Sequence, residues 1–101
     1  MIKHTVLFRL NRPVDDTARD GFLAALREFG AEPPHAEGPA TVSDDLRLRP
    51  EGRSVSEGMI EVRFADEEAF NAYLADPKHV ALVQELLTPN CESWLSLQSE
   101  V

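Results

Sequence analysis

Gly58-Met59-Ile60-Glu61-Val62-Arg63-Phe64-Ala65-Asp66-Glu67-Glu68-Ala69-Phe70 is the stretch that decides the fold. From Met59 to Phe64 it alternates, with Ile60, Val62 and Phe64 on one face and Met59, Glu61 and Arg63 on the other. A period of two is that of a strand with one face on a core. At Asp66 the period changes. Asp suits a helix N-cap, and Glu67 and Glu68 complement the positive end of the helix dipole. Ala69, Phe70, Tyr73 and Leu74 then form an apolar stripe at helical spacing.

Toward the C-terminus the next segment is Tyr73-Leu74-Ala75-Asp76-Pro77-Lys78-His79-Val80. Asp76-Pro77 reads as a second helix start, because Asp caps and Pro at the first helical position wastes no N–H. Val80, Val83, Leu86 and Leu87 continue the helical pattern until Thr88-Pro89-Asn90 ends it. Residues 92–98, with Trp94, Leu95 and Leu97, read as the last strand.

Toward the N-terminus, residues 41–48 read as a weak polar edge strand followed by a turn through Pro50-Glu51-Gly52. Residues 31–40, with Pro33, Pro34, Gly38 and Pro39, are a loop by composition. Ala18, Phe22, Ala25, Leu26 and Phe29 recur at helical spacing after the Asp15-Asp16 pair, and Gly30 is expected to close that helix. Residues 2–10 alternate: Ile2, His4, Val6, Phe8 and Leu10 share one face, Lys3, Thr5, Leu7 and Arg9 the other. The order is βαββαβ. It predicts an α+β ferredoxin-like domain over residues 1–101, an antiparallel sheet with both helices on one face.

Such a sheet leaves its second face uncovered. Thr5, Leu7, Met59, Leu95 and Leu97 belong there, beside Arg9, Glu61 and Arg63. That face is too apolar to suit water and too charged for a dry core. A second copy of the sheet packed across a two-fold axis covers it, so a homodimeric barrel is expected.

The whole-chain balance narrows the function. With 101 residues and a formal charge of −8, the chain has no basic stripe to neutralise phosphates, so neither nucleic acid nor an anionic membrane is an expected partner. No apolar run reaches spanning length, and Met1 leads directly into a strand pattern without a signal peptide, which makes the cytoplasm the expected location. The single cysteine, Cys91, has no internal disulfide partner and reads as structural. The serines lack a nucleophile-elbow context, and no phosphate-cradling glycine loop or compact metal-ligand motif is present, so neither metal nor cofactor is expected.

Proton transfer remains. Tyr73 and His79 flank the Asp76-Pro77 break, which turns both toward one cavity or simply packs both at a helix junction. His79 lies in the first turn of its helix, where backbone dipoles favour the neutral imidazole. His4 interrupts the apolar face of the first strand and is either a third polar group at that cavity or a satisfied core histidine. Phe8, Phe22, Phe29, Ile60, Val62 and Val83 are the candidate lining of an apolar pocket, and equally a plain core. His35 reads as a loop residue.

Met1 to Leu10, Val62 to Phe70 and Tyr73 to Val80 together resemble the stress-responsive dimeric α/β-barrel family. The resemblance implies a ferredoxin-like protomer paired into a barrel. It extends to the branch containing the plant olivetolic acid cyclase, which closes a ring by aldol condensation without metal or organic cofactor. Its working Tyr and His match Tyr73 and His79, and its strand His matches His4. The Glu32-to-Pro39 segment departs from the family pattern. The resemblance therefore implies a cofactor-independent cyclase acting on a small apolar carbonyl compound, or a non-catalytic stress-response or ligand-binding dimer.

Overall fold

The computed structural model describes residues 1–49 and 55–101; the expected turn at Pro50-Glu51-Gly52 lies outside them. The elements are β1 (Ile2–Leu10), α1 (Asp16–Ala31), β2 (Thr41–Asp44), β3 (Gly58–Phe64), α2 (Glu67–Ala75) and α3 (Pro77–Ala81). A π-helical stretch, Leu82–Leu87, then leads into α4 (Thr88–Asn90) and β4 (Cys91–Glu100). The sheet has the order β2-β3-β1-β4 with antiparallel pairing throughout. This is the ferredoxin-like arrangement that the period changes predict.

Local chemistry explains the boundaries. Asp15 caps α1 by accepting from the Ala18 N–H at 2.7 Å, and Asp66 caps α2 by accepting from Ala69 at 2.9 Å. Phe22, Leu23 and Leu26 are the buried residues of α1's apolar stripe. With Val6, Phe8, Leu10, Ile60, Val62, Phe64, Tyr73 and Leu87 they form the core between sheet and helices. Aromatic contacts knit it: Phe8 meets Phe22 edge-on at 5.6 Å and Phe64 tilts against Tyr73 at 4.8 Å between centroids.

Three expectations are corrected. Gly30 does not close α1; the helix runs on to Ala31, and Gly30 is buried inside it. A Cβ there would lie 3.2 Å from both Ala40 Cβ and Val42 Cγ2, so the glycine lets the helix end sit against the start of β2. The strand expected over 41–48 stops at Asp44, because its partner β3 begins at Gly58, opposite Asp44. Leu46 and Leu48 are consequently about four-fifths exposed, at 79% and 81%. The last strand runs over residues 91–100, longer than 92–98, because β1 offers it partners from Leu10 back to Ile2.

The open face has the predicted parity. Leu7 lies between Met59 and Leu95, Thr5 between Glu61 and Leu97, and Lys3 between Arg63 and Ser99. Leu95 and Leu97 remain 73% and 64% exposed. An apolar band across the sheet centre is thus flanked by charge, with Glu61 near Lys3 at 4.0 Å and Arg9 bound to Glu92 at 3.0 Å.

Candidate functional site

Asp76 is the joint on which the site depends. Its backbone N–H donates to the Tyr73 carbonyl at 3.1 Å, closing α2. Its carboxylate accepts from the Lys78 N–H at 2.9 Å and its carbonyl from Val80 at 3.0 Å, opening α3. The chain therefore turns at one residue between Tyr73 and His79. The two rings meet with centroids 4.6 Å apart and planes tilted by 49°. His4, on the helix-facing side of β1, reaches the same group, its ring 5.9 Å from that of Tyr73.

All three border a cavity of about 190 Å³ between the sheet and the α2–α3 junction. Of the expected lining, Phe8, Ile60 and Val83 are there. The observed lining is narrower than the expected set, however. Phe22 and Val62 are sealed in the core, because each packs where α1 or β3 meets the other layer. Phe29 faces a separate groove of about 630 Å³ between α1 and the segment from Lys78 to Leu86. That groove is larger, but it gathers no histidine or phenol, so the smaller cavity is the candidate site. Trp94 and Ser96 of β4 complete the cavity wall. Both are exposed, so the cavity borders solvent on the β4 side.

The histidine tautomers follow from their partners. His79 Nδ1 lies 3.2 Å from the Leu74 carbonyl, which can only accept, so Nδ1 carries the hydrogen and Nε2 keeps a lone pair. His4 Nδ1 lies 2.7 Å from Gln98 Oε1 and is assigned the same tautomer. Burial lowers the pKa of His79, against the opposing pulls of the Leu74 bond and the Asp76 carboxylate. Desolvation thus favours the neutral ring, in the same direction as the first-turn position in α3. Burial also lowers His4, partly offset by Gln98, and the nearby His79 lowers it further. Burial pushes the Tyr73 phenol well above its ordinary value, which keeps it a hydrogen-bond donor at neutral pH. Cys91 is buried and pushed up to about 11 by burial and by Glu57, so it stays a thiol.

These shifts carry a pH prediction. Both histidines titrate near 6.5 when unfolded and lower when folded, so below about 6.5 the unfolded chain binds more protons. Stability is therefore full above 6.5 and declines as pH falls from there toward the folded values. The urea midpoint should drop between pH 7.5 and 5, and His4→Gln should flatten part of that slope. A midpoint unchanged across this range would show that folding leaves the two rings unperturbed.

Three contributors escaped the sequence reading. Gln98 faces His4 only through the β1–β4 register, and Trp94 reaches the cavity only because β4 lies beside β1. His35 bonds Asp76 through Nε2 at 3.1 Å. The signal for Gln98 was its alternation with Trp94 and Ser96 along one strand. For His35 there was none, since its partner lies 41 residues away in sequence.

Comparison with known proteins places the chain. The family model described as Stress responsive A/B Barrel Domain matches residues 2–101. No protein of curated function matches. Among solved structures, a dimeric ferredoxin-like protein of unknown function from Thermobifida fusca superposes with a TM-score of 0.79 at 23% identity, covering 99% of this chain and 90% of that one. A Dabb family protein with a ferredoxin-like fold from Mesorhizobium loti gives 0.79 at 21% identity, covering 99% and 95%. A hydroxynitrile lyase from Passiflora edulis gives 0.75 at 19% identity, covering 99% and 92%. At these identities the likeness is one of fold.

Proposed function

This chain belongs to the stress responsive A/B barrel domain family, and on that premise we propose that it is a single-domain homodimeric barrel protein that binds a small apolar carbonyl compound between sheet and helices and transfers a proton on it without a cofactor. The observation that carries this reading is the convergence of Tyr73, His79 and His4 on one cavity. At about 190 Å³ the cavity is smaller than the ~300–1,000 Å³ of drug-sized sites, which favours a small substrate or the reacting end of a longer one.

The chemistry follows from the tautomers. His79 Nε2 takes the proton next to the substrate carbonyl, and the Tyr73 hydroxyl donates to the developing enolate oxygen. The enolate carbon attacks a second carbonyl, and the alkoxide formed recovers the proton from the His79 imidazolium. No net proton is consumed. His4, with its own Nε2 lone pair, accepts a substrate hydroxyl or N–H. Aldol-type closure of a polyketide-like chain is the named example, as in the olivetolic acid cyclase branch. That a hydroxynitrile lyase shares the fold supports carbonyl chemistry in this scaffold.

The homodimer is read through the open sheet face, where the exposed Leu7, Leu95 and Leu97 lie in one band. The related structures described as dimeric support it. Among the described residues no helix is long and apolar enough to cross a membrane.

A second reading is a non-catalytic ligand-binding or stress-response dimer. The observation favouring it is that Tyr73 and His79 meet ring to ring, and no hydrogen bond joins them among the described residues. A panel of small aldehydes, ketones and polyketide-like chains, assayed with wild type and Tyr73→Phe, separates the two. The enzyme reading expects turnover that falls by about 10²-fold in Tyr73→Phe with stability retained, as when an oxyanion donor is lost. Binding without turnover in both proteins would leave the second reading standing.

A further inference from the structure

His35 lies in the loop between α1 and β2, and it touches the joint of the candidate site. Its backbone is in the left-handed region, φ 61°, a conformation His tolerates better than most residues. The loop around it is tied down on both sides. The Ala40 N–H donates to the Gly30 carbonyl at 2.7 Å, the Glu37 N–H donates to the Arg63 carbonyl at 2.8 Å, and Pro33 is buried. From this anchored loop His35 donates through Nε2 to Asp76 Oδ2 at 3.1 Å, while Oδ1 of the same carboxylate caps α3.

Asp76 is thus held at four atoms. Three of the bonds are internal to the α2–α3 junction: its N–H to Tyr73, its carbonyl to Val80 and its Oδ1 to Lys78. The fourth comes from outside, and it is His35. We propose that His35 is a positioning residue that fixes the Asp76 joint and thereby sets Tyr73 against His79. Its catalytic meaning rests on the function proposed above; the mechanical role does not.

A stability role alone explains this contact poorly. The pair is partly exposed, with side chains 44% and 21% accessible, and solvent-screened pairs of this kind add little to folding. Geometry is where it acts, because a carboxylate held at both oxygens cannot rotate away from its cap. The titratable and charged groups bearing on Asp76 are His35 and Lys78. Those bearing on His79 are Asp76 and, across the cavity, His4.

The test reads the His79 ring nitrogens directly by ¹⁵N NMR through a pH titration, in wild type, His35→Asn and His35→Gln. Asn suits the left-handed backbone but is too short to reach Asp76, whereas Gln restores a donor of similar reach. In wild type the Nδ1–H tautomer of His79 should dominate. In His35→Asn that preference should weaken, and the His79 midpoint should rise by about 0.5 pH unit as the released carboxylate acts more strongly on the ring. On a substrate that wild type turns over, kcat should fall about tenfold with KM unchanged. His35→Gln should restore all of these.

A His79 tautomer and midpoint identical to wild type in His35→Asn would overturn the proposal. So would a Gln variant that behaves like Asn, since the effect would then not run through the hydrogen bond. Absence of turnover in wild type would remove the catalytic function proposed above, while the nitrogen spectra would still decide the role of His35.

Discussion

His79→Ala should lower turnover of a responsive carbonyl compound by about 10²–10⁴-fold, the range expected when a general base is removed. The same variant should keep its fold. His79 is half-buried rather than part of the core, and the substitution removes the Leu74 hydrogen bond and the ring packing on Tyr73. Ala is the best helix former, so the stability change should stay within about 1 kcal/mol. A pH profile adds an independent check. The base works only when neutral, and burial holds its pKa below 6.5, so kcat/KM should be level at neutral pH and fall on the acid side with a midpoint below 6.5. Wild-type turnover in His79→Ala would exclude the base assignment, whatever Tyr73 does.

The second large effect is expected at the open sheet face. Leu97→Asp should convert the dimer to a monomer while leaving the secondary structure unchanged. Leu97 is 64% exposed on the isolated chain, so its own fold needs it little. At a two-fold interface the substitution counts twice. Losing about 2 kcal/mol of apolar burial per copy amounts to about 4 kcal/mol, or roughly a 10³-fold weaker association before the cost of a buried charge is added. Light scattering across a concentration series checks this, and the wild-type interface should exceed ~1,200 Å² in total. A wild-type protein that is monomeric at micromolar concentration would remove the dimer from the reading. A variant that unfolds instead would mean that Leu97 belongs to the protomer's own core.

Much of the fold was legible because it rests on local signals. The alternation from Met59 to Phe64, the Asp66 cap and the Asp76-Pro77 break each involve residues within a few positions of one another. Every one corresponds to an observed boundary. The errors fell where a boundary depends on a distant neighbour. Gly30 looked like a helix stop, but its backbone is used for close approach to Ala40 and Val42. β2 ended early because β3 itself begins only at Gly58, opposite Asp44. The π-helical stretch Leu82–Leu87 has the same apolar spacing that an α-helix would show, so composition did not announce it.

The site divides along the same line. Sequence alone determined that a phenol and an imidazole flank a capped helix break, because the cap, the proline and the two rings all lie within seven residues, 73–79. It also determined the parity of both sheet faces, since a period of two fixes which side chains share a side. Tertiary structure decided which apolar residues surround the cavity and which merely fill the core, separating Phe8, Ile60 and Val83 from Phe22, Phe29 and Val62. It decided that His4 is oriented by Gln98 and Asp76 by His35, pairs set by strand register and by the path of a loop. It also decided how far each ring is buried, and so how strongly desolvation favours the neutral His79 ring. The physical reason is one of range: caps, turns and periodicity act between near neighbours in the chain, whereas cavities and desolvation arise only where distant segments pack.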